Sequence, residues 1–333
     1  DLQVYIYDND DVAVDVIDQI HARAPEVTTR ILADRIGSVG SWWAEGKTDL
    51  PEEFAYPGSI VDYANDADGV KMRLGRTPWL VTNHSKLIVV DGETAYLGGM
   101  NIGREYRHDW HDLMVKVEGP VVTKLQDLFN RAWAFQSILG DWRIPFRKRL
   151  HVPDDIEAGE GEFGIRVLRT GVRKRQILNA TVAAIRASKR RVYVHSPYVS
   201  SGKVVRALID ACARGVDVRM VLPKENDSSL MHHSNKVWAQ ELINAGAKIY
   251  AYPIFSHTKA MVVDDWACLG SANLDGLSMR INAELNIAYS DPDAVGELVD
   301  RLFLPDFKRS HLVKKGDLDV QSDPLQKVLL NQL

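Results

Sequence analysis

Two short clusters in the chain pair a histidine with a lysine two residues on: His84 with Lys86, and His257 with Lys259. Each pair is followed by four apolar residues, then an aspartate (Asp91, Asp264), then a small-residue turn that ends in asparagine (Gly98-Gly99-Met100-Asn101, Gly270-Ser271-Ala272-Asn273). A lone His-x-Lys says little, but the same run of chemistries twice in one chain says much more. Residues two apart on a strand face the same side, so each histidine shares a face with its lysine. The runs 87–90 and 260–263 are continuously apolar, as expected of strands covered on both faces. Small residues before Asn101 and Asn273 are expected to let backbone approach a ligand closely.

Neutral imidazole is a good nucleophile toward phosphorus, and its protonated form is a good general acid. Two histidines in one site can divide these roles when their surroundings push their pKa values apart. One attacks a phosphodiester and becomes a phosphohistidine. The other protonates the departing alkoxide and then activates the incoming water or alcohol. His84 is assigned the attack and His257 the proton, and the near-symmetry of the copies leaves the reverse assignment open. Lys86, Lys259, Asn101 and Asn273 are expected to bind the non-bridging oxygens. They supply the positive charge that a metal brings to other phosphoryl-transfer sites, so the expectation is no metal and no cofactor. Each imidazole also needs a partner on its other nitrogen. Asp112, 28 residues after His84, and Glu284, 27 after His257, qualify, with Asp109 a rival for Asp112.

The elements that must position these groups read as an α/β fold. Strand patterns at 4–7 and 30–33 flank a helical pattern at 14–23. Later, 192–195, 203–213, 216–222, 238–245 and 248–252 alternate strand and helix in the same way. Val204, Leu208, Ile209 and Cys212 follow the spacing of a buried helix face. Gly215 and Gly246 sit where left-handed helix caps belong. The opening 2–7 (Leu-Gln-Val-Tyr-Ile-Tyr) resembles 190–195 (Arg-Arg-Val-Tyr-Val-His), which extends the repeat back from the histidines. The expected organisation is a first repeat over 1–150, an acidic Gly-bearing linker over 151–164, and a second repeat over 165–333. The second copy opens with a strand and helix at 163–189 that the first lacks, so the chain is expected to begin inside its first repeat, its N-terminus truncated. The first copy carries an insertion of roughly fifteen residues in the region 40–80, judged by the distance from each Val-Tyr strand to its histidine.

Bulk properties narrow the setting. The chain has 333 residues, 45% of them hydrophobic, and a net charge of -4. That charge offers no global basic field for nucleic acid, so no nucleic-acid partner is expected. Two cysteines, Cys212 and Cys268, without a CxxC, argue against a disulfide framework. No apolar run reaches the roughly 18 residues of a membrane span.

With these motifs in place, the chain resembles the phospholipase D superfamily, whose signature is two His-x-Lys-x4-Asp copies on one bilobal α/β fold. Three stretches bring it nearer the bacterial cardiolipin synthase branch. They are Asn83-His84-Ser85-Lys86 leading to Gly98-Gly99-Met100-Asn101-Ile102-Gly103; Trp110-His111-Asp112 followed by Val117-Glu118-Gly119-Pro120; and Gly270-Ser271-Ala272-Asn273 with Asn282-Ala283-Glu284. The resemblance implies two repeats, each a mixed β-sheet flanked by helices, with one active site at their seam. It also implies that the downstream acids, here Asp112 and Glu284, orient the histidines. The implied activity is phosphatidyl transfer to an alcohol such as phosphatidylglycerol, on a phospholipid substrate. The implied place is an anionic membrane surface, the bacterial inner membrane. The second copy has one residue fewer between Asp264 and Gly270 than the first between Asp91 and Gly98, so its hairpin is expected to be tighter.

Other residues have plainer readings. Asp91 and Asp264 end apolar strands, where aspartate often caps a turn. Ser271 could donate to phosphate, although Gly99 at the matching place has no hydroxyl. The pair His232-His233 reads as a loop beside the substrate rather than a metal site, because no third ligand follows at a recognisable spacing. His108 and His111, around Trp110, have the same reading. Trp42-Trp43 is either core or a membrane-facing tip. The basic triplets at 147–149, 173–175 and 189–191 are either solvated surface or contacts for anionic headgroups. Three other functions share the motifs: a phospholipase D that uses water, a nuclease of the superfamily with a basic groove, and a non-catalytic lipid binder.

Overall fold

The computed structural model describes residues 1–43, 50–75, 81–136, 163–318 and 320. The chain divides into two units with an unusual boundary. The first comprises Asp1–Asp109 and Met114–Glu162; the second comprises Trp110–Leu113 and Phe163–Leu333.

In the first unit, β1 (Leu2–Val4), α1 (Asp11–Arg23), β2 (Thr29–Asp34), α2 (Arg35–Trp42), α3 (Ile60–Asn65) and β3 (Val70–Gly75) build a parallel half-sheet with helical crossovers. Then β4 (Leu87–Val90), β5 (Thr94–Gly98), α4 (Arg104–His108), β6 (Met114–Glu118) and α5 (Val121–Phe135) follow, with β4 antiparallel to β1. The sheet order is β3-β2-β1-β4-β5-β6. Asp10 ties two helices to this sheet. Its Oδ1 accepts from Ala13 N at 2.8 Å, capping α1, and its Oδ2 accepts from Arg104 N at 2.6 Å at the start of α4.

The second unit contains β7 (Ile165–Gly171), β8 (Lys174–Arg175), α6 (Gln176–Ala187), β9 (Arg191–His195), α7 (Gly202–Ala213), β10 (Asp217–Pro223), α8 (Ser229–Asn244) and β11 (Lys248–Tyr252). It continues with β12 (Ala260–Val263), β13 (Trp266–Gly270), α9 (Gly276–Arg280), β14 (Glu284–Tyr289), α10 (Pro292–Leu298), α11 (Leu304–Arg309) and β15 (His311–Val313). Its order is β15-β11-β10-β9-β12-β13-β14-β7-β8. The run β11-β10-β9-β12-β13-β14 repeats the first sheet strand for strand. Its core includes Val192, Val194, Val204, Leu208 and Met261, all nearly inaccessible, and each such aliphatic side chain contributes about 1.5–3 kcal/mol on burial. Gly215 and Gly246 have φ of +84° and +100°, the left-handed caps expected of them.

Strand pairing corrects one expectation of the repeat. Leu2 pairs with Ile88, whose counterpart Met261 pairs with Val194. The bridges Tyr7–Ile102 and Val199–Leu274 keep the same offset. Leu2 therefore corresponds to Val194, not to Arg190, and Gln3 to His195. The Val-Tyr match is coincidental, because β-branched and aromatic residues suit many strand positions. On this register Leu2 lies 82 residues before His84 and Val194 lies 63 before His257, so the first unit carries nineteen extra residues. Twelve of them fall between β2 and β3, where Ile31 pairs with Met72, against Met220 with Ile249 in the second unit.

The hairpins differ as expected: three residues separate Val90 from its partner Thr94, and two separate Val263 from Trp266. Among the described residues no helix is long and apolar enough to cross a membrane. Cys212 and Cys268 are both unbridged.

Candidate active site

Each histidine motif lies on the extended segment leading into a central strand, β4 or β12, and the two lysines behave alike. Lys86 Nζ donates to His84 O at 2.7 Å, and Lys259 Nζ donates to His257 O at 2.6 Å. Both lysines are almost wholly buried. Each ammonium thus braces the backbone of its own histidine, a contact that a same-face His-x-Lys pair allows. Burial pushes Lys259 down to about 8, against the pull of Asp112, Glu284, Asp227 and Asp275.

His84 is buried in the first unit, its ring edge-on to Tyr5 at 4.7 Å between centroids. Lys86 Nζ lies 5.2 Å from the same tyrosine ring. The residue before the histidine is held from three sides. Asn83 N donates to Asp34 Oδ2 at 2.8 Å, while Asn83 Oδ1 accepts from Gln3 Nε2 at 3.1 Å and Ser85 N at 3.3 Å. None of Tyr5, Asp34 or Gln3 stands out in the sequence, because each acts from a segment more than forty residues away.

His257 has a carboxylate partner. Its Nδ1 is 2.7 Å from Asp112 Oδ2, with the Asp112 side chain wholly buried. Trp110 packs on the His257 ring at 5.5 Å and on Phe255 at 4.6 Å. Asp112 belongs by sequence to the first repeat, yet Trp110–Leu113 lies in the second unit. Asp112 therefore does not serve as a local partner to the histidine 28 residues before it. Asp109, its rival, instead closes α4.

Asp112 and Glu284 occupy equivalent places: each stands two residues before the residue that pairs with the first glycine of its turn (Gly98 with Met114, Gly270 with Asn286). Glu284 is buried and its Oε2 accepts from Ser271 Oγ at 2.5 Å. The same hydroxyl accepts from Leu285 N at 3.0 Å. The Ser271 proton is therefore spent on Glu284, in place of the expected donation to phosphate.

The turns also differ from expectation. A Cβ on Gly270 would lie 2.3 Å from Leu285 O, so that glycine is required by the neighbouring strand β14 rather than by a ligand. Gly99 is buried behind β5. The two asparagines have diverged. Asn101 Oδ1 accepts from Tyr5 N and Ile6 N at 3.1 and 3.0 Å. In the second unit Pro197 stands where Tyr5 does and has no N–H to give. Asn273 donates to Asp275, and its Oδ1 is buried with no partner among the described residues.

Asp91 and Asp264 both end their strands with left-handed φ, +54° and +51°. Asp264 is the working cap. Its carboxylate accepts from Lys189 N, Arg190 N and Arg191 N at 2.8–3.0 Å. Burial opposes its ionisation, but these bonds and the Arg190 charge hold its pKa below the usual carboxylate value. The 189–191 triplet thus leads into β9 through its backbone N–H groups, rather than being only a surface patch. The 147–149 triplet lies outside the described residues. His232 and His233 sit on α8, not on a loop. Trp42 packs into the first core and donates to Tyr7 O at 2.9 Å, whereas Trp43 is 82% exposed.

A family model described as cardiolipin synthase, PLD-like domain, matches residues 1–133 and 181–303. Cardiolipin synthase A of Pseudomonas syringae is 32% identical over 328 residues, covering 92% of this chain and 63% of its own length. Cardiolipin synthase of Geobacillus kaustophilus is 30% identical, covering 94% of this chain and 62% of its own length. The chain thus spans rather less than two thirds of these relatives. Among solved structures, phosphatidylserine synthase of Haemophilus influenzae aligns with a TM-score of 0.72 at 14% identity, covering 98% of this chain and 86% of that one, a likeness of fold. The two His-x-Lys segments and the strands they lead into fall inside the residues matched by the family model: the chain belongs to the family of cardiolipin synthase, PLD-like domain proteins.

Proposed function

We propose that the chain is the catalytic part of a phospholipid phosphatidyltransferase of cardiolipin synthase type, working through a phosphohistidine. The observation that carries the reading is the His257 Nδ1–Asp112 bond of 2.7 Å, beside a duplicated lysine-braced His-x-Lys. The names of the relatives point to the same reaction.

In this reading His84 attacks phosphorus with an imidazole lone pair, and the P–O bond to the leaving glycerol breaks. His257, its Nδ1 proton held by Asp112, gives a proton from Nε2 to the departing oxygen. A second phosphatidylglycerol then brings its hydroxyl. His257 takes that proton back, the oxygen attacks phosphorus, and the P–N bond breaks. Lys86, Lys259, Asn101 and Asn273 stabilise the non-bridging oxygens as charge develops. Glu284, at the place equivalent to Asp112, has the same orienting duty. Asp91, Asp264, Gly99 and Ser271 support the turns and acids around these groups. The substrate places the protein at the surface of the bacterial inner membrane, where Trp43 offers an exposed indole.

The test is incubation with phosphatidylglycerol vesicles without added metal, followed by mass spectrometry of the lipids, with His84→Ala alongside. Cardiolipin and glycerol, absent with the variant, are expected. Phosphatidic acid alone would make the protein a hydrolase with the same residues. Unchanged lipid in both samples would overturn the lipid assignment.

A further inference from the structure

Four residues of the first repeat, Trp110–Leu113, reach the second unit as a strap. The strap bonds to the very stretch that carries His257. His111 N donates to Phe255 O at 3.0 Å, and His257 N donates to His111 O at 2.7 Å. Ser256 Oγ and Thr258 Oγ1 also reach His111 O, at 3.4 and 3.3 Å. The backbone of His111 is thus the hinge pin between the strap and the histidine segment. The next residue along the strap is Asp112.

The His111 side chain has a separate anchor. Its Nε2 lies 2.8 Å from Asp306 Oδ2, and its ring stacks on Tyr252 at 4.7 Å and 14°. Asp306, on α11, is buried and takes a second imidazole: His195 Nε2 lies 3.1 Å from the same oxygen. Burial opposes ionisation of Asp306, but the bonds from the two histidines outweigh it and hold its carboxyl at about 2. Burial pushes the His195 pKa down, against the pull of the Asp306 bond and charge.

We propose that Asp306, gripping His111 and itself fixed by His195, is a positioning group that holds the strap in register and so aims Asp112 at Nδ1 of His257. The inference rests on the reading of His257 as the acid and base of the reaction. Its physical basis is that a short strap has little core of its own to hold it. An error of about 1 Å in an orienting group costs on the order of a hundredfold in rate. In the first unit Gln3 stands where His195 does.

His111, His195 and Asp306 also form the group of three among the described residues whose donor atoms converge closely enough for a metal ion. Both nitrogen–oxygen distances are those of direct hydrogen bonds, and one carboxylate oxygen serves both rings. That geometry favours the positioning role, and metal content decides between the two.

The experiment compares Asp306→Asn, His111→Ala and His111→Gln with wild type on phosphatidylglycerol vesicles. His257→Ala is run in parallel. The expected result is a fall in kcat of about 10- to 100-fold for Asp306→Asn and His111→Ala, with KM changed less than about twofold. His111→Gln, whose amide can still donate to Asp306, should recover most of the rate. Imidazole NMR of 15N-histidine-labelled protein supplies a readout independent of turnover: the Nδ1 proton of His257 should shift or be lost in Asp306→Asn and His111→Ala and return in His111→Gln. If Asp306→Asn does not fold, the His111 pair decides. Folded His111→Ala with wild-type kcat and an unmoved His257 resonance would overturn the proposal. So would one tightly bound metal per chain that the Asp306 or His111 substitutions release. Full activity in His257→Ala would instead sink the two-histidine reading, leaving the NMR shifts to judge the positioning role alone.

Discussion

The two units run the same six strands in the same order and brace the histidines of their His-x-Lys pairs with the same lysine-to-carbonyl bond, but they support those histidines by different means. In the first unit the support comes from polar neighbours on adjoining strands: Gln3 and Asp34 fix Asn83, and Tyr5 packs on His84. In the second it comes from a carboxylate on an imported strap, itself tied to a His-Asp-His cluster centred on the buried Asp306. Even the paired asparagines have parted, since Tyr5 offers Asn101 a backbone N–H that Pro197 withholds from Asn273. What stays constant between the units is the atom set at the reacting end. What varies is the scaffolding one layer back, which is free to change as long as the imidazole is held.

The sharpest way to break this comparison is at the carboxylates. Asp112→Asn should lower kcat by about a thousandfold or more, because the His257 tautomer is no longer fixed, as in other His–Asp pairs. Glu284→Gln should fall in the same class. A Glu284→Gln enzyme with full kcat would mean that the equivalence of the two acids stops at the backbone.

The lysines give the next largest effect. Lys259 holds its proton below about 8, so kcat should decline as pH rises through that value. Lys259→Met should cost on the order of a hundredfold at neutral pH. Lys259→Arg, slower overall, should hold its residual rate through pH 9, because guanidinium stays charged. A wild-type profile flat to pH 10 would separate Lys259 from the charge of the reaction.

Stability separates the units more gently. Asp306 has its pKa depressed to about 2 in the fold, against 3.8 for the unperturbed group. Its stabilisation is therefore present above the unfolded value and is lost as pH falls from there through the folded one. That contribution is about 2 kcal/mol. Urea unfolding at pH 5 and pH 2.5 should show it in wild type and not in Asp306→Asn. The counterpart Gln3→Leu should cost about 1 kcal/mol at either pH, since no titration is involved. Smallest is the difference at the hairpins. Asp264→Asn should lose about 1 kcal/mol by weakening acceptance from three backbone N–H groups, while the exposed Asp91→Asn should stay within about 0.5 kcal/mol. Equal losses at the two positions would mean that the cap is not what Asp264 contributes.

The chemistry-bearing residues were legible because they are local. His84 and Lys86, or His257 and Lys259, sit two apart just before strands whose apolar runs announce burial, and the duplication makes chance an implausible source. The alternation of strands and helices gave the fold class for the same reason. The misses are non-local but for one. Val-Tyr suggests one register for the opening strand, but register is set by pairing, and the partners of Ile88 and Met261, like the bridges Tyr7–Ile102 and Val199–Leu274, show a four-residue slip. Asp112 was recognisable as an orienting acid by its spacing from His84, yet its bond is to a histidine 145 residues away. Asp306 lies 195 residues from His111 and belongs to no motif at all. The helix carrying His232 and His233 looks too short in the sequence, because its polar first turns hide the apolar period.

The strap has a consequence for how such a chain can be divided. A single cut at the boundary before Phe163 would deliver a second half whose histidine had left its carboxylate behind. It would also deliver a first half still carrying four residues whose bonding partners were gone. The two copies are therefore no longer interchangeable modules. A gene that once doubled cannot be undone at one peptide bond, and exchange of one half between relatives must carry the Trp110–Leu113 segment with the half it serves rather than the half that encodes it.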